Sequence, residues 1–246
     1  MQALDGARRT GCEQELGSFH PAHYESGEWP GILRAMDSPP DPILADRFTS
    51  AVATAVELHG EQARKGGPIP YLSHLLGVAA LVLEDGGDED EAIAALLHDA
   101  AEDAGGRETL EEIRGYFGER VALIVAGCSD AMPAAGEEKA PWEVRKAAYL
   151  AELAEADASV VRVSLADKLH NGRSLLADLE RHGAALWDGF NAPAPRQAWY
   201  YASLLEIYER RSTSVHLPAL REVVQRIVAA ADAAQPVDAS VTPIGQ

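Results

Sequence analysis

One short stretch of this sequence places an imidazole and three carboxylates within six residues. His98 and Asp99 are adjacent at the end of an apolar run, and two more acids, Glu102 and Asp103, follow one turn later. In a continuous helix, a spacing of four places each of the first two residues beside one of the last two. Carboxylates this close repel one another unless a cation lies among them. The stretch indicates either a metal site or a solvated acidic helix end, although acids are unfavourable at a helix C-terminus.

Three other residues have types that suit the same chemistry. Asp167 lies on an otherwise apolar helical face, with Asn171 one turn further along. A carboxylate in apolar surroundings needs a partner, either a metal or a neighbouring backbone group. His74 begins an apolar helix and, taken alone, also fits a core histidine. Two imidazoles with two carboxylates suit Mn²⁺, Fe²⁺ or Mg²⁺ better than a thiolate-preferring ion. Such a metal activates water and polarises a phosphoryl oxygen.

The elements that must position these residues read as helices. Alanine is abundant, the chain is 47% hydrophobic, and no run of alternating β-branched residues favours a sheet. We therefore predict one all-α domain over 42–233, with an irregular N-terminal extension (1–41) and a flexible C-terminal tail (234–246). In its first helix, Leu44, Phe48, Val52 and Val56 share a face. The predicted helices span residues 42–59, 72–84, 88–103, 109–115, 118–130, 142–155, 159–182, 196–211 and 217–233.

Charge and cysteine content narrow the classes of function. The net charge of −18 argues against a general nucleic-acid or anionic-membrane binder, but it allows a small anionic substrate in a basic pocket. Cys12 and Cys128 have no framework spacing, which indicates reduced thiols. We find neither a signal peptide nor a run of about 18 apolar residues, so a cytoplasmic location is expected. The sequence gives no indication of oligomeric state.

The order of the candidate ligands resembles a known signature. His74, then His98-Asp99, then Asp167 is similar to the H…HD…D set of HD phosphohydrolases. The sequence motifs around these residues are more specific. They are residues 62–66, 70–74, 95–103 and 165–171. Over about residues 44–210 they resemble the hydrolase domain of RelA/SpoT homologues, above all the single-domain small alarmone hydrolases.

This resemblance implies a fold, an activity and a cofactor. The fold would be an HD-domain multi-helix bundle around a metal site. The activity would be removal of the 3′-diphosphate from guanosine tetra- and pentaphosphate (ppGpp and pppGpp), usually with Mn²⁺. The metal ligands would be His74, His98, Asp99 and Asp167. In the same family Glu102 and Asp103 would orient or deprotonate the attacking water, and Asn171 would position water or substrate.

The resemblance also implies substrate contacts. Arg64 and Lys65 would lie beside the nucleotide, where a guanidinium can stack on a purine and an ammonium can meet a phosphate. Tyr71 would line the same pocket. Other predicted contacts are Arg196 and Tyr200 at the 5′-phosphates and Arg145 and Lys146 at the diphosphate. We interpret His59 and His170 as structural or supporting residues.

Several alternatives stay open at this point. The loop 66–70 reads Gly-Gly-Pro-Ile-Pro, which differs from many relatives and bears on base recognition, and Leu75 stands where many have proline. Adenosine alarmones (ppApp) or other 3′-phosphorylated nucleotides would fit the same metal site. The chain could also be an antitoxin that neutralises a toxic small alarmone synthetase, or a cyclic-nucleotide phosphodiesterase. Because the chain ends soon after the hydrolase region, we expect no synthetase or regulatory domain.

Overall fold

The computed structural model of the protein describes residues 44–65, 67–103, 105–130 and 139–234. Within these ranges the chain is helical, and its only strand-like pairing is an isolated antiparallel bridge between Ala63 and Pro70. The prediction of an all-α fold is confirmed. The helices are α1 (Asp46–His59), α2 (Leu72–Glu84), α3 (Glu89–Leu97), α4 (Ala100–Asp103), α5 (Arg107–Phe117), α6 (Glu119–Cys128), α7 (Trp142–Glu155), α8 (Ala158–His182), α9 (Ala194–Arg211) and α10 (Leu217–Ala233), with a 3₁₀ helix at Gly183–Gly189.

The long helix α8 is the axis of the fold. It begins where the Asp157 side chain accepts a hydrogen bond from the backbone N–H of Ser159 at 2.9 Å, and it runs for 25 residues. It contacts α2, α3, α6, α9 and α10. Val163, Leu165 and Leu169 on its inner face are at most 1% exposed, so Asp167 does lie on an apolar, buried face.

Helix α3 is the most deeply buried element that carries candidate ligands. Asp88 and Glu91 form a reciprocal capping box, in which each side chain accepts from the other residue's backbone N–H. Residues 92–97, all alanine, isoleucine or leucine, are fully buried. The predicted burial of this helix on most sides is confirmed.

The predicted continuous helix over 88–103 is wrong, because the chain turns at His98 and Asp99 and resumes as the short helix α4. The His98 side chain supplies the physical reason. Its Nδ1 lies 2.9 Å from the carbonyl oxygen of Ala95. In a continuous helix that carbonyl would accept from the backbone N–H of Asp99. The imidazole takes over this acceptor, and the helix ends.

Helix α1 differs from its predicted packing. Ala51, Ala55 and His59 form its buried face, whereas Val56 is 44% exposed. Small side chains let α1 approach α3 closely, so alanine rather than the larger residues marks the inner face. The helix begins at Asp46 rather than 42, and residues 42 and 43 lie outside the described part of the chain.

Other boundaries moved by a few residues. Helix α5 spans 11 residues rather than the seven predicted at 109–115. It meets α6 at Gly118, whose φ of +94° is a conformation that glycine adopts without strain. The segment after α8, for which no helix was predicted, forms the 3₁₀ helix. The proposed limits of the domain at 42 and 233 stay predictions, since residues 1–43 and 235–246 lie outside the described ranges. None of the helices described here has the length and apolarity that a membrane crossing needs.

Candidate metal centre

Three helices bring four of the predicted residues together. His74 lies in the first turn of α2, His98 and Asp99 follow the end of α3, and Asp167 lies in the middle of α8. One ligand atom each from His74, His98 and Asp99 lies within 4.8 Å of the other two. Asp167 Oδ1 is 3.3 Å from Nε2 of His74 and 3.5 Å from Nε2 of His98. The four side chains therefore converge on one small volume.

Two imidazole nitrogens in this volume lack hydrogen-bond partners among the described residues. Nε2 of His74 and Nε2 of His98 are buried, and no described group meets them with acceptable hydrogen-bond geometry, although carboxylate oxygens lie 3.0–3.6 Å away. Nδ1 of His98 donates to Ala95, so its Nε2 presents a lone pair toward carboxylate lone pairs. A proton or a metal cation between them satisfies both. The donor set and these orphaned nitrogens fit a divalent metal ion.

The electrostatics of the centre lead to the same conclusion. Burial alone would lower the pKa of His98, but the carboxylates of Asp99 and Asp167 raise it well above its ordinary value. Burial would raise the pKa of both acids, yet His98 beside Asp99 and Lys168 beside Asp167 hold those two pKa values well below the usual range. The site thus stabilises positive charge between imidazole and carboxylate, which is what a bound cation would supply.

Each carboxylate of the centre is also held from outside. The phenol of Tyr71 donates to Asp99 Oδ2 at 2.5 Å. Lys168 Nζ donates to Asp167 Oδ2 at 2.5 Å, and Asn171 Nδ2 donates to the other oxygen of Asp167 at 2.6 Å. Such outer contacts orient ligands and tune their affinity for a metal. Tyr71 and Asn171, which were predicted to contact substrate or water, therefore contact the candidate ligands directly.

Arg64 joins this arrangement through Asn171. Its Nη2 donates to Asn171 Oδ1 at 2.8 Å, while its Nη1 is buried without a hydrogen-bond partner among the described residues. Two backbone hydrogen bonds fold the Arg64 loop back on itself: Arg64 N donates to Ile69 O, and Tyr71 N donates to Gln62 O, both at 2.9 Å. The loop thus places the Arg64 guanidinium one side chain away from the candidate ligand Asp167.

Glu102 lies in a neighbouring cluster rather than among the candidate ligands. Its carboxylate is 3.2 Å from Lys139 Nζ and 3.9 Å from Arg145 Nη1. Asp130, which is buried, pairs with both Arg145 and Lys146. We call these five residues, with three cations and two acids, the basic cluster. The expectation that His98, Asp99, Glu102 and Asp103 share one point fails for Glu102, because the chain turns before α4.

Burial, followed by the charge of Asp130, raises the pKa of Glu102. Asp99 also contributes to this rise, so the two carboxylates lie within electrostatic reach of each other. The side chain of Asp103 lies outside the described part of the structure. Glu102 is therefore a carboxylate with a raised pKa within electrostatic reach of the centre, and it pairs with Lys139.

The remaining predicted substrate contacts lie apart from the ligands. Lys65 and Arg196 are exposed, and Tyr200 is 5% exposed. The Tyr200 ring lies beneath Lys146 Nζ at 4.9 Å from its centroid, and its hydroxyl is buried without a partner. Arg196 and Tyr200 thus differ in exposure despite the spacing of four that predicted a common face.

Sequence reasoning missed two residues of this region, Asp130 and Lys139, which belong to the basic cluster. His170, interpreted from the sequence as structural or supporting, contacts the candidate ligand His74 with 3.0 Å between their Nδ1 atoms. The position of Asp130 at the end of the apolar run of α6 is a signal that resembles the one used for His98. Lys139 follows the segment 131–138, where the sequence has no periodicity that could have placed it.

Comparisons with known proteins match this region of the chain. A family model described as an HD domain matches residues 51–192, which is more than half of the chain. The guanosine-3′,5′-bis(diphosphate) 3′-pyrophosphohydrolase of Aquifex aeolicus (strain VF5) is 40% identical over 134 residues, covering 54% of this chain and 18% of that protein. The guanosine-3′,5′-bis(diphosphate) 3′-pyrophosphohydrolase MESH1 of Xenopus tropicalis is 38% identical over 124 residues, covering 49% of this chain and 65% of that protein.

A solved structure described as a metazoan ortholog of SpoT that hydrolyzes ppGpp aligns with a TM-score of 0.56. The alignment covers 78% of this chain and 98% of that chain, at 22% identity, so it supports the fold alone. The chain spans less than two thirds of the length of each of the two curated relatives.

Proposed function

We propose that this chain, which belongs to the HD-domain family, is a metal-dependent hydrolase that removes the 3′-diphosphate of (p)ppGpp and releases GDP or GTP with pyrophosphate. The observation that carries the proposal is the convergence of His74, His98, Asp99 and Asp167 around two buried, unpartnered imidazole nitrogens. The two curated relatives, whose names specify this reaction, support the choice of substrate.

The metal that we propose is Mn²⁺, with Mg²⁺ or Fe²⁺ as substitutes, because imidazole and carboxylate donors suit such ions. The metal would be held by His74 and His98 through Nε2 and by Asp99 and Asp167 through carboxylate oxygens. When bound, it would polarise a phosphoryl oxygen and lower the pKa of water. Cys128, the cysteine within the described residues, does not take part, since it is buried and burial raises the pKa of its thiol.

Among the chain's own groups, Glu102 is the base that we propose for the attacking water, with Asp103 beside it in sequence. Its raised pKa keeps it closer to the operating pH than an ordinary glutamate, which favours proton transfer. Asn171 holds Asp167 and Arg64 at once, so we propose that it aligns the nucleotide side of the site with the metal side.

The nucleotide would lie between Arg64 and the basic cluster. Arg64 offers a guanidinium with one unpartnered, buried nitrogen, and Lys65 beside it is exposed and free to meet a phosphate. Arg145 and Lys146 already pair with Asp130, so a diphosphate would compete with that acid for them. We propose Arg196 and Tyr200 as more distant contacts to the 5′-phosphates.

A substrate panel tests the reaction class. The metal-stripped protein, reloaded with Mn²⁺, would be incubated with ppGpp, ppApp and a cyclic dinucleotide, and the products separated by anion exchange. Release of pyrophosphate from ppGpp supports the proposal. Faster turnover of ppApp than of ppGpp would show that the enzyme prefers adenine to guanine. Cleavage of the cyclic dinucleotide alone would overturn it in favour of a phosphodiesterase.

The alternative of an antitoxin for a toxic small alarmone synthetase predicts a different result. Asp99→Asn removes a candidate ligand without changing the size of the side chain. If neutralisation of a co-expressed synthetase is lost together with hydrolysis, catalysis explains it. If neutralisation survives the loss of hydrolysis, the chain acts by binding.

A cytoplasmic location remains part of the proposal, because the alarmone substrate is a cytoplasmic nucleotide.

A further inference from the structure

We infer that His170, seated against Gly77, is a positioning residue that fixes the tautomer and the orientation of His74 for metal binding. The inference rests on the proposed metal centre and concerns a residue that the proposed reaction does not use. Its basis is a contact between two imidazoles on different helices, α2 and α8, and a close approach that only glycine permits.

The contact joins Nδ1 of His74 to Nδ1 of His170 at 3.0 Å, with ring centroids 4.9 Å apart. A neutral imidazole has one donor and one acceptor nitrogen. His74 must keep the lone pair of Nε2 for the cation, so its Nδ1 carries the proton and donates. His170 then accepts at Nδ1 and carries its own proton on Nε2. One hydrogen bond therefore sets the tautomers of both rings.

Gly77 provides the space for His170. A Cβ at position 77 would lie 2.4 Å from Nε2 and 2.5 Å from Cδ2 of His170, closer than real Cβ atoms come to a ring. Glycine inside a helix is destabilising relative to alanine. Gly77 lies in the middle of α2, one turn after His74. The close approach of α8 requires a glycine at this position despite this cost in helix stability. A larger residue there would displace the His170 ring from His74.

The first test measures metal binding rather than turnover. Isothermal titration of the metal-stripped full chain with Mn²⁺ gives the dissociation constant for each variant. Loss of an outer partner of a ligand typically weakens metal binding about 10–100-fold. We expect His170→Ala to fall in this range and His170→Asn, which offers an acceptor near the position of Nδ1, to recover most of the affinity. The matched control is Ser174→Ala, which removes a hydrogen bond to the His170 backbone but leaves the imidazole alone.

The second test uses the glycine. Gly77→Ala should weaken Mn²⁺ binding as His170→Ala does, because it displaces the same ring. Gly115→Ala is the control, since a Cβ there meets nothing within 4 Å. In the His170→Ala background the added methyl no longer has a ring to displace, so the double variant should bind Mn²⁺ no more weakly than His170→Ala alone. Additive losses would show instead that Gly77→Ala acts on the site independently of the His170 ring.

The outcomes separate this inference from the proposed function. If the wild-type chain does not bind Mn²⁺, the proposed metal centre fails. If the wild type binds Mn²⁺ and His170→Ala binds it equally well, only the role of His170 is overturned. If His170→Ala does not fold, the same comparison is made with Gly77→Ala. Nitrogen-15 spectra of the histidine rings provide an independent reading, since wild-type His74 must carry its proton on Nδ1 and His170 on Nε2.

Discussion

The phenolic hydroxyl of Tyr71 donates to Oδ2 of Asp99 at 2.5 Å, so a residue predicted to line the nucleotide pocket holds a candidate metal ligand. Tyr71→Phe removes this bond and keeps the ring. We expect Mn²⁺ affinity to fall about 10–100-fold, while KM for ppGpp at saturating metal stays unchanged. Isothermal titration and steady-state kinetics measure the two quantities.

The control for Tyr71 is Tyr116→Phe, which changes an exposed tyrosine of α5 that is not among the candidate site residues. If Tyr71→Phe raises KM for ppGpp and leaves Mn²⁺ affinity unchanged, Tyr71 contacts substrate and does not support the metal ligand, which would contradict this prediction.

Glu102→Gln tests the proposed base. We expect kcat to fall about 10²–10⁴-fold with Mn²⁺ affinity unchanged, because Glu102 lies outside the group of ligand atoms. Burial, followed by Asp130, raises the pKa of Glu102, so the basic form is lost as pH falls through a value above that of an ordinary glutamate. The acidic limb of the wild-type kcat profile should therefore disappear in the variant. Glu111→Gln, an exposed acid on α5, is the control. If Glu102→Gln keeps full activity, Glu102 is not the base, and its ion pair with Lys139 has a structural role.

Arg64 and Asn171 should act as one unit. Asn171 Oδ1 accepts from Arg64 while its Nδ2 donates to Asp167, so either alanine variant disturbs both partners. A double-mutant cycle on kcat/KM for ppGpp should give a coupling energy of about 0.5–3 kcal/mol. The same cycle between Arg64→Ala and Arg221→Ala, which removes a surface pair on α10, should be additive. Additive effects in the first cycle would show that the two residues act independently.

The capping box of α3 predicts a stability effect away from the chemistry. Asp88→Ala should lower the free energy of unfolding by about 1 kcal/mol, whereas Asp88→Asn should retain most of it. Burial opposes ionisation of Asp88, but the backbone N–H of Glu91 and the Arg120 side chain outweigh it and lower its pKa. This contribution is fully present above the unfolded pKa and is lost as pH falls through the lower folded value. Urea unfolding at neutral pH and at about pH 3, below the ordinary pKa of an aspartate, measures it, and equal stability of Asp88→Ala at neutral pH would contradict the cap.

Periodicity predicted most of the fold because helices bury apolar faces. The buried run of α3 and the apolar face around Asp167 are confirmed by the structure. The end of α3 was not predictable in this way, since it depends on the His98 side chain taking the Ala95 carbonyl. The inner face of α1 was misplaced because small residues, Ala51 and Ala55, pack closer than large ones.

The candidate site, like the fold, could be predicted from the sequence only in part. The resemblance to the HD signature selected His74, His98, Asp99 and Asp167, and the structure brings these four side chains together. Contacts between residues distant in sequence did not follow from local pattern. Glu102 meets Lys139 across 37 positions and His74 meets His170 across 96, and only the packing of the helices brings them together.

The central claim is that a metal held by these four side chains hydrolyses an alarmone. The most direct measurement incubates metal-stripped protein with ppGpp, with and without Mn²⁺, and resolves the products by anion-exchange chromatography. We predict GDP and pyrophosphate only when the metal is present, and none from Asp99→Asn. Absence of turnover in a wild-type protein that demonstrably binds Mn²⁺ would contradict the account and leave a metal-binding HD-domain protein with another substrate.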